Sequence, residues 1–232
     1  MRALLLATTG LVGLTLAWPR ARRVATSAPR TIPPDAPAEA DIANITRKFL
    51  LGFVLPLWMA AGVADYLCHC ATDIETTAGT KESLIHLVMM MEAAAPTLAG
   101  LFLEITSPVL ALMIASVLLH SATALWDVSY AVKLREVSPI EQHVHSYLEM
   151  VPLMAVSFVC VLHWPQLLGL FGRGKRRPDW SIRWKRKQLP WSDVVPLLTA
   201  LVALEGAPYL EELARSVVAE PRRRQRLAAR SR

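Results

Sequence analysis

The feature that most constrains this chain is the recurrence of apolar stretches long enough to cross a membrane. Residues 49–71, 84–103, 108–134 and 139–171 are dominated by Leu, Val, Ala, Met and Phe. A helix needs about 20 mostly apolar residues to traverse the roughly 30 Å hydrocarbon core of a bilayer, and each stretch meets that length. The fourth exceeds it, which implies tilt or projection. Over all 232 residues the excess is modest, with 53% hydrophobic and 19% charged residues and a mean hydropathy of +0.35. Its concentration in four blocks is what matters. That pattern excludes a disordered chain, and three cysteines exclude a disulfide-stapled secreted mini-domain. The net charge of +6 does not point to nucleic acid, because the basic residues flank the apolar blocks and suit a membrane surface.

Short connections, 72–83, 105–107 and 135–138, make consecutive helices antiparallel neighbours. Pro108 and Pro139, each preceded by a serine, mark helix starts. The expected fold is therefore an all-α integral-membrane four-helix bundle spanning residues 47–171. Residues 1–23 read as an N-terminal anchor or signal-like segment: Ala3–Trp18 is apolar but short, and Arg20, Arg22 and Arg23 after it oppose translocation. Residues 24–46 form a Pro/Ala-rich linker. Residues 172–232 hold 15 Lys/Arg against 6 Asp/Glu and read as a basic tail with an amphipathic helix. Within it Trp180, Trp184 and Trp191 alternate with the basic run 183–187, the composition of a segment resting on anionic lipid. The run Val194–Leu204 is too short to span, so it and 208–219 are expected as amphipathic helices at the interface or docked on a partner. The positive-inside rule then puts both flanks of the bundle, C-terminus included, in the cytoplasm of a bacterial inner membrane. Turns 72–83 and 135–138 face outward; Lys133 and Arg135 fit that side less well.

Ionisable groups inside spans are expensive and mark function by default. At 100° per residue, Asp65 and His69 lie about 40° apart on one helix face, and Glu82 and His86 repeat the relation. His120 and Asp127, seven apart, differ by about 20°. Glu141, His145 and Glu149 form a row at four-residue steps, from which His143 points away; Glu92 is rotated from His86. All nine candidates except His120, which is near mid-membrane, fall toward the same end of the bundle. Imidazoles and carboxylates on facing helices are how dinuclear metal sites are built. The donor set suits two Fe ions, with Zn or Mn as substitutes. Buried ion pairing is the plainer reading of any single pair, but four pairs at one level favour a metal over repeated desolvation cost. Cys68, Cys70 and Cys160 read as packing residues. Trp58, Trp126, Tyr66 and Tyr130 either anchor the helices or shape a lipid-sized pocket.

The stretch from Trp58 to Trp164, including ADYLCHC, KESLIHLVMMMEA, LLHSATALWDVSYA and PIEQHVHSYLEM, resembles a family of uncharacterised proteobacterial inner-membrane proteins. At class level it is similar to integral-membrane di-iron oxygenases and desaturases, although their HxxHH boxes are absent and only HVH at 143–145 comes near. SVLLH at 116–120 with Asp127 is faintly similar to membrane zinc hydrolases of the ceramidase type. The resemblance implies a metal site in a membrane bundle. The expected function is a non-haem di-metal oxidase, hydroxylase or desaturase acting on a lipid or other apolar substrate, with a homo-oligomer or redox partner. A divalent-metal or proton transporter subunit, a zinc hydrolase using Glu149 or Asp127 as base, and a b-type cytochrome are the alternatives.

Overall fold

The computed structural model describes residues 39–173 and 177–230; the anchor-like segment 1–23 and the linker up to residue 38 lie outside the described residues. Among the described residues the secondary structure is helical, with one isolated bridge between Leu103 and Trp184. The first helix begins inside the expected linker. It runs as α1 (Glu39–Phe49), a π-helical turn (Leu50–Val54) and α2 (Leu55–Ala71). Then follow α3 (Thr80–Phe102), α4 (Ser107–Ala131) and α5 (Pro139–Leu162). A short α6 (Trp164–Leu170) ends the expected fourth span, which breaks at His163 rather than continuing to 171. Next, α7 (Trp191–Leu201) passes through a second π turn (Val202–Gly206) into α8 (Ala207–Arg230).

Five of these helical runs are long and apolar enough to cross a membrane, the fifth being Trp191–Arg226. This segment is the largest departure from expectation. Hydropathy divides it at Glu205, Gly206 and Pro208, so each half looks too short. The π turn carries the helix through the division, and α8 packs against α3 and α2 as a member of the bundle. Ser83 and Ser216, both fully buried, meet at 2.8 Å and fix its register on α3. Near its end Arg223 Nε donates to the Thr77 carbonyl at 2.8 Å, and Arg215 pairs with Glu75 at 2.6 Å. The last described turns of α8 therefore lie beside the 72–79 turn, at the end of the bundle opposite residues 163–173 and 177–190.

Local chemistry explains the helix ends. Ser138 Oγ accepts from Glu141 N at 3.1 Å, and Pro139 opens the first turn of α5. Ser107 does not cap α4; the cap position is Thr106, whose hydroxyl donates instead to the Ser181 carbonyl at 2.7 Å. That bond, with Glu104 N to Arg183 O at 3.0 Å and Lys185 N to Phe102 O at 2.8 Å, lays segment 179–185 across the α3–α4 turn. Gly79, at φ +74°, adopts the left-handed backbone that opens α3. Packing polarity is inverted relative to a water-soluble domain. Leu125 and Val218 are 72% and 79% exposed, whereas Glu82, Glu141, Glu212 and His69 are fully buried. An apolar exterior around a charged interior is stable in a bilayer.

Candidate metal centre

At the end of the bundle closed by turns 72–79 and 132–138, five helices turn polar faces toward one another. The four-residue spacing places Asp65 and His69 on one face of α2, Glu82 and His86 on one face of α3, and Glu141 and His145 on one face of α5. Asp127 comes from α4 and Glu212 from α8.

Glu212 organises the centre. Its two oxygens each meet a histidine Nδ1 at 2.8 Å: Oε2 takes His69 and Oε1 takes His86. The two imidazoles stack with centroids 4.4 Å apart and planes 5° from parallel. An ionised carboxylate only accepts, so both Nδ1 atoms carry a hydrogen, and a ring that is neutral presents an Nε2 lone pair on the far side. Both Nε2 atoms face carboxylates. His69 Nε2 is 3.4 Å from Asp65 Oδ2 and 3.7 Å from Glu141 Oε1. His86 Nε2 is 3.4 Å from Asp127 Oδ1 and 4.0 Å from Glu82 Oε1. His145 Nε2 reaches Asp65 Oδ1 at 2.8 Å and Glu141 Oε1 at 4.0 Å.

The hydrogen-bond inventory singles out these atoms. His69 Nε2, His86 Nε2, Glu82 Oε2, Asp127 Oδ1 and Glu141 Oε2 are buried without a hydrogen-bond partner, while Asp65 Oδ1 and Glu141 Oε1 meet only the basic groups of His145 at 2.8 Å and Arg135 at 2.6 Å. Buried polar atoms are nearly always satisfied, so five orphans converging on one place require an explanation. They belong to two donor sets with no residue in common, Asp65, His69, Glu141 and His145, then Glu82, His86 and Asp127, linked through the His69–His86–Glu212 group. In each set, one ligand atom per residue lies within 4.8 Å of the others. A cation between a lone pair and a carboxylate turns repulsion into coordination, and a carboxylate behind each ligating imidazole is the usual support for it. Here a single carboxylate supports two.

Arg135, buried on the 132–138 turn, supplies the positive charge. Its Nη2 is 2.5 Å from Glu82 Oε1 and 2.6 Å from Glu141 Oε1, leaving Oε2 of each glutamate free. Burial works against its charge, but the hydrogen bonds to Glu141 and Glu82 outweigh that and hold its pKa above the ordinary arginine value. Five carboxylates, Asp65, Glu82, Asp127, Glu141 and Glu212, against one guanidinium leave four negative charges with the histidines neutral. Two divalent cations would neutralise them.

Of the nine residues expected at the site, seven are brought together, and His120 and Glu149 are not. His120 lies deeper, with Nδ1 3.8 Å from Glu92 Oε2, so Glu92, set aside for its rotation from His86, serves a separate pair. Glu149 is exposed because steps of four drift by about 40° each on a 3.6-residue helix, and two steps carry it off the face shared by Glu141 and His145. Sequence reasoning missed Glu212, Arg135 and Tyr209, whose hydroxyl is 3.1 Å from Asp65 Oδ2 and 3.2 Å from the Gly62 carbonyl. It also missed Glu205, buried over Gly62, where an added Cβ would collide with its carboxylate. Glu205, Tyr209, Glu212 and Ser216 follow at steps of four, three and four, a polar stripe at helical period that was legible in the sequence. Comparison of the chain with protein-family models, curated proteins and solved structures finds no match.

Proposed function

We propose that this chain is a membrane-embedded dinuclear metalloprotein, a non-haem di-iron oxidase, hydroxylase or desaturase acting on a lipid or other apolar substrate. The observation that carries the reading is the pair of stacked histidines whose Nδ1 atoms share Glu212 while both Nε2 atoms stand unpartnered against carboxylates. Asp65, His69, Glu141 and His145 would hold one ion, and Glu82, His86 and Asp127 the other. Mixed imidazole and carboxylate donors suit iron, and a di-iron pair supplies redox chemistry capable of attacking an unactivated C–H bond. The chain's own groups do the rest. Glu212 orients the two imidazoles, Arg135 balances charge, Tyr209 holds Asp65 by hydrogen bond, and the helix bundle excludes water.

The setting is a bacterial inner membrane. Arg47, Lys48, Arg173 and the basic run 183–187 lie at the end opposite the metal centre and support a cytoplasmic placement of that end; α8 then carries Arg222, Arg223, Arg224 and Arg226 to the outer side, against the expected cytoplasmic tail. Trp180 and Trp184, both exposed beside that run, suit an anionic leaflet. The test is spectroscopic. Protein purified in mild detergent and loaded anaerobically with ferrous iron should show the Mössbauer signature of a coupled pair, without a Soret band. A mononuclear zinc protein with no affinity for iron would favour hydrolysis, and a Soret band would make it a cytochrome.

A further inference from the structure

A second feature lies outside the metal centre, toward the opposite end of the bundle. A cavity of about 1080 Å³ opens there. That is just above the roughly 300–1,000 Å³ typical of ligand pockets. Its walls are apolar, with Val54, Leu101, Met113, Val117, Val151 and Val156 among them. Its rim is cationic. Arg47, Lys48, Lys185, Arg186 and Lys187 line it against two rim carboxylates, Glu104 and Asp193. Glu104 Oε1 is occupied by the backbone N–H of Arg186 at 3.0 Å. Lys185 donates to the Gly100 carbonyl, and burial and the nearby Arg47 charge depress its pKa. The rim thus holds uncompensated positive charge.

The deep end is polar. Trp58, Glu92 and His120 line the cavity there, and Trp58 Nε1, Glu92 Oε2 and both ring nitrogens of His120 are buried without a hydrogen-bond partner. Only Glu92 Oε1 is engaged, accepting from Thr123 at 2.8 Å. His120 is 6% exposed. An indole donor, a carboxylate acceptor and an imidazole able to do either complement a hydroxyl or carbonyl oxygen, not a hydrocarbon. From Arg47 to Trp58 the helix advances about 16 Å at 1.5 Å per residue, the reach of a long alkyl chain. None of the three residues belongs to the metal centre; His120 lies two helical turns from Asp127.

We propose that this cavity binds an anionic long-chain amphiphile bearing an oxygen function partway along its chain. The acid group sits at the cationic rim, the chain along the apolar walls, and the chain oxygen among Trp58, Glu92 and His120. The inference does not rest on the metal reading, because the site uses none of the metal-centre residues.

Native mass spectrometry of the full chain, released from a neutral detergent, tests it with three probes: 12-hydroxystearate, stearate and methyl 12-hydroxystearate. Wild type should retain one 12-hydroxystearate per chain at about tenfold lower concentration than stearate, the difference one hydrogen bond makes. The methyl ester should bind more weakly than the acid. His120→Leu should bring the two acids within about twofold, Arg186→Gln with Lys187→Gln should weaken both, and Ala155→Trp, which fills the cavity, should remove them. Equal retention of both acids by wild type, equal retention of the ester, or undiminished binding to Ala155→Trp overturns the proposal. His86→Ala should bind as wild type does. Hydroxystearate binding by a protein that takes up no metal leaves this proposal standing while the metal reading fails.

Discussion

The two ends of the bundle bury polar groups in different ways. At the turn end, polar atoms from five helices point at one another, and the hydrogen bonds they make leave a defined subset of lone pairs unpaired. At the opposite end one histidine, one glutamate and one tryptophan look into an open apolar cavity. The first arrangement is closed by Arg135 and Glu212 and has room for ions; the second has a mouth and room for a molecule. A histidine beside a carboxylate is therefore not a uniform signal. His86 with Asp127 belongs to a convergent donor set, and His120 with Glu92 does not.

Substitutions that treat the two ends alike would break this contrast, and the largest effect should come from ligand removal. His69→Ala and His86→Ala should each abolish stoichiometric metal binding, while His120→Ala retains it; elemental analysis of monodisperse protein reads the difference. Second in size is Arg135→Met. It leaves Glu82 and Glu141 as unpaired buried charges, so the metal-free protein should lose about 3–5 kcal/mol of stability. The loss should shrink when metal is added, as thermal unfolding with and without metal would show. Glu212→Gln should come next. It keeps the volume but supports the imidazoles less well, and metal affinity should fall about 10–100-fold, the usual cost of losing such a partner. Competition with a chelating dye measures it. The smallest effects are expected at Glu149→Ala and His143→Ala, both exposed on α5, which should leave metal content unchanged. Loss of metal from either would mean that α5 presents a different face to the centre.

Much of the turn-end site was legible in the sequence because its determinants are local. Four-residue spacings on α2, α3 and α5, with short turns between helices, bring Asp65, His69, Glu82, His86, Glu141 and His145 to one level before any tertiary contact is known. What was not legible depended on longer-range facts. Glu149 fitted a four-residue row, but the true helical period turns it outward. Arg135 looked like a topological misfit on its turn; its reason is the Glu82–Glu141 pair that it bridges. Glu212 was lost because residues 191–226 read as two short segments, and a π turn at Val202–Gly206 joins them into one helix. Its polar stripe was visible, yet an interfacial helix would show the same stripe. Only the packing of α8 on α3 decides which way the stripe faces.

The central claim is that the turn end holds two metal ions in one box of side chains. X-ray absorption at the metal edge, on iron-loaded protein containing two equivalents per chain, tests it directly. The account predicts mixed nitrogen and oxygen donors near 2.0–2.2 Å and a metal–metal vector of about 3.5–4 Å, the separation typical of two-metal sites. The vector should vanish in His86→Ala. Saturation at one ion per chain, or a spectrum without any metal–metal scattering in the wild type, would contradict it.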